Sequence, residues 1–110
     1  MPYKVNGMDV ELAEPVLTDG TTFVPVADLA NALGGYADWN HEEKTARIEI
    51  GDKIGFIHND NEIAEVGGEQ VDLKAKPYIE EGVLWAPVRV FRDGFGIALN
   101  ASGQDIELTR

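Results

Sequence analysis

The chain has 110 residues and a mass of 12.0 kDa, a length typical of one compact domain. Its 20 acidic residues outnumber 9 Lys and Arg, so the net charge is -11 and the pI about 4.4, and we expect neither nucleic acid as a partner nor insertion into a membrane. The lack of cysteine excludes disulfides, zinc–thiolate sites and thiol nucleophiles.

A sequence repeat runs along the chain. Val10-Glu11-Leu12 is matched by Val71-Asp72-Leu73, and the positions that follow match at a constant offset of 62 residues. These pairs are Pro15 with Pro77, Gly20 with Gly82, Pro25 with Pro87, and Val26 with Val88. The pattern predicts a single domain over residues 1–110, built from two repeats of about 1–50 and 62–110 that a hairpin strand segment joins.

The first repeat begins with a predicted hairpin, followed by a predicted turn and strand. Residues 3–5 and 8–12 alternate apolar and polar around Asn6-Gly7, a dipeptide that favours a two-residue turn. A second turn dipeptide, Asp19-Gly20, precedes the β-branched and aromatic residues 21–24, which predict a further strand.

A short helix is predicted next. Pro25 supplies a fixed φ at its start, and Gly34 follows where a helix end favours glycine. The apolar stripe between them has the spacing of two to three helical turns. Its members are Val26, Leu29, Ala30 and Leu33.

Strands follow this helix. Residues 36–39 and 45–50 predict a strand pair, with Ala46, Ile48 and Ile50 on one face. Residues 53–57 and 62–66 predict a further hairpin around the polar tip at 59–61.

The second repeat has the same order of elements. Val88, Phe91 and Phe95 predict a second short helix after Pro87, weakened near its end by Asp93-Gly94. Strands are predicted at residues 97–99 and around Ile106 and Leu108, with a turn at Ser102-Gly103. The fold class is therefore α+β, with mostly antiparallel hairpins curled around one or two short helices in duplicated ββαββ units.

The ordered string of glycines, prolines and tryptophan identifies a family. The carrying residues are Asn6-Gly7, DGTTFVPV at 19–26, LANALG at 29–34, Trp39-Asn40 and Lys44-Thr45. This string resembles the copper amine oxidase N-terminal-like domain, also called the stalk domain, in two copies over essentially the whole chain. Arginines usual in the family are replaced by Thr21, Val83 and Ala27 but kept as Arg89, and the second tryptophan is Ala101.

The resemblance implies a non-catalytic module, often found beside cell-wall hydrolases or surface proteins of Gram-positive bacteria. It therefore implies an extracellular or wall-associated protein, although residues 1–4 do not begin an apolar export signal and no 18-residue apolar run is present. In the oxidases the copper and the cofactor tyrosine belong to a separate catalytic domain.

The residues themselves also argue against an enzyme. His41 and His58 fall in different predicted turns, and Ser102 lacks the context of a nucleophile. The carboxylate pairs Glu42-Glu43 and Glu80-Glu81 lie at turns, where solvated charges are expected. We therefore expect no catalytic residue, no metal site and no cofactor.

An interaction surface is the remaining functional prediction. Trp85 and Phe91 are expected in the core, whereas exposure of Tyr36 and Trp39 is left open. Aromatic and arginine side chains are frequent anchors of interfaces. The candidate surface residues are Tyr36, Trp39, Tyr78, Arg89 and Arg92.

Three functions fit these observations. The first is a stalk-type binding or spacer module that engages a cell-envelope polymer or a protein. The second is a small acidic phage- or mobile-element-encoded protein, cytoplasmic or in a virion, that acts as an inhibitor or a virion component. The third is a small-ligand pocket between the repeats, with Arg89 and Arg92 contacting an anion. Unguarded sheet edges also predict a homodimer through edge-to-edge pairing.

Overall fold

The computed structural model describes residues 2–110, in which β-strands predominate and the α+β class is confirmed. The helical segments are α1 (Val26–Ala32) and a π-helical segment (Val90–Gly94). The strands are β1 (Tyr3–Val5), β2 (Met8–Val10), β3 (Val16–Thr18), β4 (Thr21–Pro25), β5 (Tyr36–Asn40), β6 (Thr45–Ile50), β7 (Lys53–His58), β8 (Ile63–Val66), β9 (Glu69–Asp72), β10 (Tyr78–Glu80), β11 (Val83–Pro87), β12 (Ala98–Ser102) and β13 (Asp105–Thr109).

These strands form three sheets. The terminal sheet has the order β12-β13-β1-β2, the central sheet β10-β11-β4-β3, and the five-stranded sheet β5-β6-β7-β8-β9. Their neighbours pair antiparallel, as predicted, except that β1 and β13 pair parallel. This exception joins the two ends of the chain.

The predicted hairpin around Asn6-Gly7 is confirmed, and so are the predicted turn at Asp19-Gly20 and the strand after it. Asn6 and Gly7 have φ values of 52° and 82°, and Asp19 and Gly20 have 50° and 80°. Two consecutive positive φ values define the turn that matches the right-handed twist of a two-residue hairpin. Short polar side chains and glycine tolerate this conformation best, which is why these dipeptides located the turns in the sequence.

Helix α1 is confirmed with its predicted stripe. Pro25, with φ of -73°, precedes it, and Gly34, with φ of +79°, follows its last turn. The stripe is fully or almost fully buried, and α1 packs against β5, β6 and β11. The buried side chains are Val26, Leu29, Ala30 and Leu33.

The second predicted helix is wound more widely than an α-helix. Phe91 and Phe95 are buried as expected, with ring centroids 6.1 Å apart. The Phe95 N–H donates to the Val90 carbonyl at 3.3 Å, a bond across five residues. Gly94 packs so closely that an added Cβ would lie 2.7 Å from Val66 Cγ2. The wider turn therefore accommodates two phenylalanines and brings Gly94 against β8.

The central sheet pairs residues that the sequence repeat relates to one another. Val24 faces Ala86 across β4 and β11, and both are fully buried. On either side, Phe23 faces Pro87 and Pro25 faces Trp85. Beneath Val24 and Ala86 lies the core, which all three sheets and both helical segments share. The division into repeats of about 1–50 and 62–110 stays a prediction.

Candidate functional site

The five-stranded sheet turns one side to the core and one to solvent. Ala46, Ile48 and Ile50 of β6 are buried, whereas Arg47 and Glu49 between them are partly exposed. Directly opposed residues of antiparallel strands share a side. The solvent side, here called the outer face, therefore includes Tyr36 opposite Glu49, Phe56 opposite Arg47 and Glu65, and Ile54 opposite Glu49.

Large apolar side chains are exposed on this outer face. Tyr36 is 56% exposed and Phe56 is 37% exposed. Ile54 and Ile63 are also among the exposed large hydrophobic residues of the chain. An antiparallel sheet with one open side ordinarily carries polar residues on that side, so this surface is a candidate interface.

Trp39 lies at the edge of the same sheet. Its register partner is the buried Ala46, but β5 is an edge strand, and 43% of Trp39 remains exposed. A depression of about 710 Å³, here called the β5 depression, lies along this edge. Its lining includes Asp38, Trp39, Asn40, Glu43, Arg47 and Phe56.

Local hydrogen bonds hold the turn at one end of the β5 depression. The Glu43 N–H donates to Asn40 Oδ1 at 3.0 Å, and Asn40 Nδ2 donates to Glu43 Oε1 at 3.3 Å. Along the strand, the Tyr36 hydroxyl donates to Asp38 Oδ1 at 3.2 Å. Arg47 pairs with Glu49 at 3.5 Å. Carboxylates thus dominate the rim, and the aromatic rings lie among them.

Tyr78 lies in a different place. Its ring centroid is 5.1 Å from that of Phe23 and 6.4 Å from that of Trp85, on the side of the central sheet opposite Val24. Trp85 is 8% exposed, so its predicted burial is confirmed. Burial, followed by the charge of Glu80, raises the pKa of Tyr78. The rings of Tyr78, Phe23 and Trp85 pack against one another, and they belong to a different sheet from Trp39.

The two arginines occupy a third place. Arg89 precedes the π-helical segment and Arg92 lies within it. Arg92 donates from Nε to Asp93 Oδ1 at 2.7 Å and from Nη2 to Oδ2 at 3.3 Å. The hydrogen bond to Asp93, followed by the negative charge of Asp93, raises the pKa of Arg92. The same hydrogen bond lowers the pKa of Asp93.

The five sequence-predicted surface residues therefore fall into three groups. Tyr36 and Trp39 belong to the five-stranded sheet, Tyr78 to the central sheet, and Arg89 and Arg92 to the second helical region. Sequence reasoning missed Phe56 together with Ile54 and Ile63. Strand β7 carried the signal, because apolar Ile54 and Phe56 alternate with Gly55 and Ile57, so both sides of the strand are apolar.

The side chains that could ligate a metal ion are not gathered at one place in residues 2–110. His41 is exposed in a turn, and His58 Nδ1 lies 2.8 Å from Thr45 Oγ1. Over residues 2–110, no three His, Asp or Glu side chains gather in a group that could hold an ion. The residues present thus do not fit a copper site. No helix within the same range is both long and apolar enough to cross a membrane.

One comparison with known proteins gives a match. The family model described as the copper amine oxidase N-terminal domain matches residues 4–109, nearly the whole chain. No curated protein matches the sequence.

Proposed function

Because the chain belongs to the copper amine oxidase N-terminal domain family, we propose that it acts as a stalk-type binding or spacer module at the cell envelope. The family is a non-catalytic N-terminal domain of copper amine oxidases. A binding or spacer module acts by holding or contacting other molecules, so its function depends on its exposed surface.

The observation that carries the proposal is the outer face together with the β5 depression. Phe56 and Trp39 line the same depression of about 710 Å³, and Tyr36 is exposed along the same edge strand. Aromatic side chains combine a large apolar surface with little conformational freedom to lose, so they anchor interfaces effectively. We propose that these rings contact a cell-envelope polymer and that the protein acts outside the cell or in its wall.

A second candidate follows from the rim of the same depression. Asp38 and Glu43 lie among its lining residues, and the chain has a net charge of -11. Such a rim favours a basic protein partner, in agreement with the small acidic inhibitor or virion component considered from the sequence. Binding of this kind is electrostatic and weakens as salt screens the charges.

Co-sedimentation with purified peptidoglycan sacculi from a Gram-positive bacterium tests the first function. Phe56→Ser and Trp39→Ala remove the proposed contacts. Leu17→Ser is the matched control because Leu17 is an exposed apolar residue on the edge strand β3 of the central sheet.

We expect the unaltered protein and Leu17→Ser to sediment with the sacculi at low and high salt. Phe56→Ser and Trp39→Ala should remain largely in the supernatant. An unaltered protein that stays in the supernatant at both salt concentrations would overturn the polymer-binding function. Loss at high salt alone would favour a charged partner instead.

A further inference from the structure

Positive charge is concentrated around the π-helical segment. Lys53 donates from Nζ to the Gly94 carbonyl at 3.4 Å, and Arg92 lies within the segment. Arg89 and Lys74 are close enough for their charges to lower the pKa of Asp93. Four of the nine Lys and Arg residues of a chain with a net charge of -11 therefore border one short segment.

A small depression lies beside two of these cations. Its volume is about 150 Å³, and its lining includes Arg89, Arg92 and residues 20–22 of the β3–β4 hairpin, together with Leu99 and Ala101 of β12. The Val88 N–H donates to the Thr22 carbonyl at 2.9 Å, which ties this hairpin to the residue before Arg89. We call this depression the arginine pocket.

The arginine pocket has unused hydrogen-bond donors. A guanidinium carries five N–H groups, and Arg92 directs two of them to Asp93. Among the described residues, Arg89 has no carboxylate within salt-bridge distance. Thr21 and Thr22 also line the pocket, and each hydroxyl can donate one further bond.

The arginines have no charged counterparts in the first repeat. The positions 62 residues earlier hold Ala27 and Ala30 of α1. Ala30 is fully buried, whereas Arg92 is exposed. The cationic character of this surface is therefore specific to the second repeat.

We propose that the arginine pocket binds a small oxyanion, the carboxylate or phosphate group of a ligand. The planar guanidinium matches two oxygens of either group through paired N–H donors. A volume of 150 Å³ equals that of about five water molecules, which is sufficient for one such group. This site is separate from the outer face and does not depend on the function proposed for that face.

Titration of the ¹⁵N-labelled protein with sodium phosphate, and separately with sodium acetate, tests the site by NMR at low ionic strength and constant pH. We expect saturable shifts of the amides of residues 20–22 and 88–93 with at least one of the two anions. Phosphate alone assigns a phosphoryl ligand, whereas acetate alone or both anions assign a carboxylate-compatible site.

Three variants complete the test. Arg89→Gln should weaken binding about tenfold, because a charged bidentate donor is lost. Asp93→Asn should strengthen it about fivefold, because a competing carboxylate beside Arg92 is removed. Lys76→Gln is the matched control, since Lys76 is an exposed cation that pairs with Asp60 and does not line the arginine pocket. Linear, unsaturated shifts with both anions, or equal affinity in Arg89→Gln and the unaltered protein, would overturn the proposal.

Discussion

The region of α1 and the region of the π-helical segment occupy equivalent places in the order of elements, yet they wind differently. Leu29 in α1 corresponds to Phe91, and both side chains are fully buried. In the second region the Phe91 ring packs against Phe95, and Gly94 lies against Val66. One arrangement of strands thus accepts two helical geometries when the volumes of the buried side chains change.

Exposed positions also differ between the two sequence repeats. Trp39, at the edge of the five-stranded sheet, corresponds to Ala101 of β12. Arg89, beside the arginine pocket, corresponds to Ala27. The aromatic surface and the cationic surface therefore lie on different regions of one shared framework, and each can be altered without removing the core.

The largest difference between the regions should appear when the buried ring is removed. Phe91→Ala is expected to lower the free energy of unfolding by about 4 kcal/mol, and Leu29→Ala by about 3 kcal/mol, because the phenylalanine leaves the larger cavity. Urea unfolding followed by circular dichroism measures both values. A smaller loss for Phe91→Ala would contradict the view that this ring organises the second region.

Gly94 permits a second comparison of the two helical regions, because the residue 62 positions earlier is Ala32. An added Cβ at residue 94 would lie 2.7 Å from Val66 Cγ2, so Gly94→Ala should lower the unfolding free energy by about 2 kcal/mol. Ala32→Gly should cost about 1 kcal/mol through backbone entropy alone.

Val66 provides the control for this steric explanation. Combining Gly94→Ala with Val66→Ala should cost less than the sum of the two single changes, because the smaller side chain makes room for the new Cβ. Additive losses would mean that the contact at Gly94 does not set the geometry.

Alkaline pH should lower the free energy of unfolding through Tyr3 of β1. This buried residue donates its hydroxyl proton to the Ala13 carbonyl at 2.8 Å. Burial, followed by the charges of Asp28 and Glu14, raises its pKa. The folded protein therefore retains a proton that the unfolded chain releases above its ordinary pKa of about 10, so stability is present below that pH and falls above it.

The loss assigned to Tyr3 should be about 1 kcal/mol at a pH about one unit above that ordinary pKa. Urea unfolding midpoints measured at neutral and alkaline pH will give this loss of unfolding free energy. Tyr3→Phe cannot ionise, so its stability should fall less over the same pH interval. An identical fall in both proteins would assign the alkaline sensitivity to other groups.

The smallest expected effect concerns a turn. Glu81 has a positive φ of 51°, as does Asp19 at the equivalent position with 50°. Asparagine adopts this conformation more readily than glutamate, so Glu81→Asn should raise the unfolding free energy by about 0.5 kcal/mol. Thermal unfolding should show a small increase in Tm for Glu81→Asn and a smaller one for Asp19→Asn. A decrease for Glu81→Asn would contradict the role of backbone strain here.

Local features of the fold were predictable because local residues determine them. Asn6-Gly7 and Asp19-Gly20 specify their turns, and alternation along β6 specifies its buried side. The stripe of α1 likewise depends on spacing within a few residues. Each of these signals is contained in one short segment of the sequence.

Features that depend on distant partners were not predictable in this way. The parallel pairing of β1 with β13 joins opposite ends of the chain, and alternation does not identify a partner strand. The π-helical turn places Gly94 against Val66 of β8, a contact that no local pattern specifies. Phe56 was missed because its exposure depends on the side of the sheet that the core occupies, which only the assembled register determines.

Two tryptophans with different exposure permit a direct test of the β5 depression. Trp39 is 43% exposed and Trp85 only 8%, so acrylamide should quench mainly Trp39. Trp39→Phe, which leaves Trp85 as the single indole, provides the reference signal.

The decisive measurement is acrylamide quenching of the unaltered protein with and without soluble peptidoglycan fragments, under conditions in which sedimentation of sacculi shows binding. We predict that the fragments lower the quenching constant of Trp39 toward that of Trp85. Fragments that bind while the quenching of Trp39 stays unchanged would place the contact elsewhere and contradict the proposed role of the β5 depression.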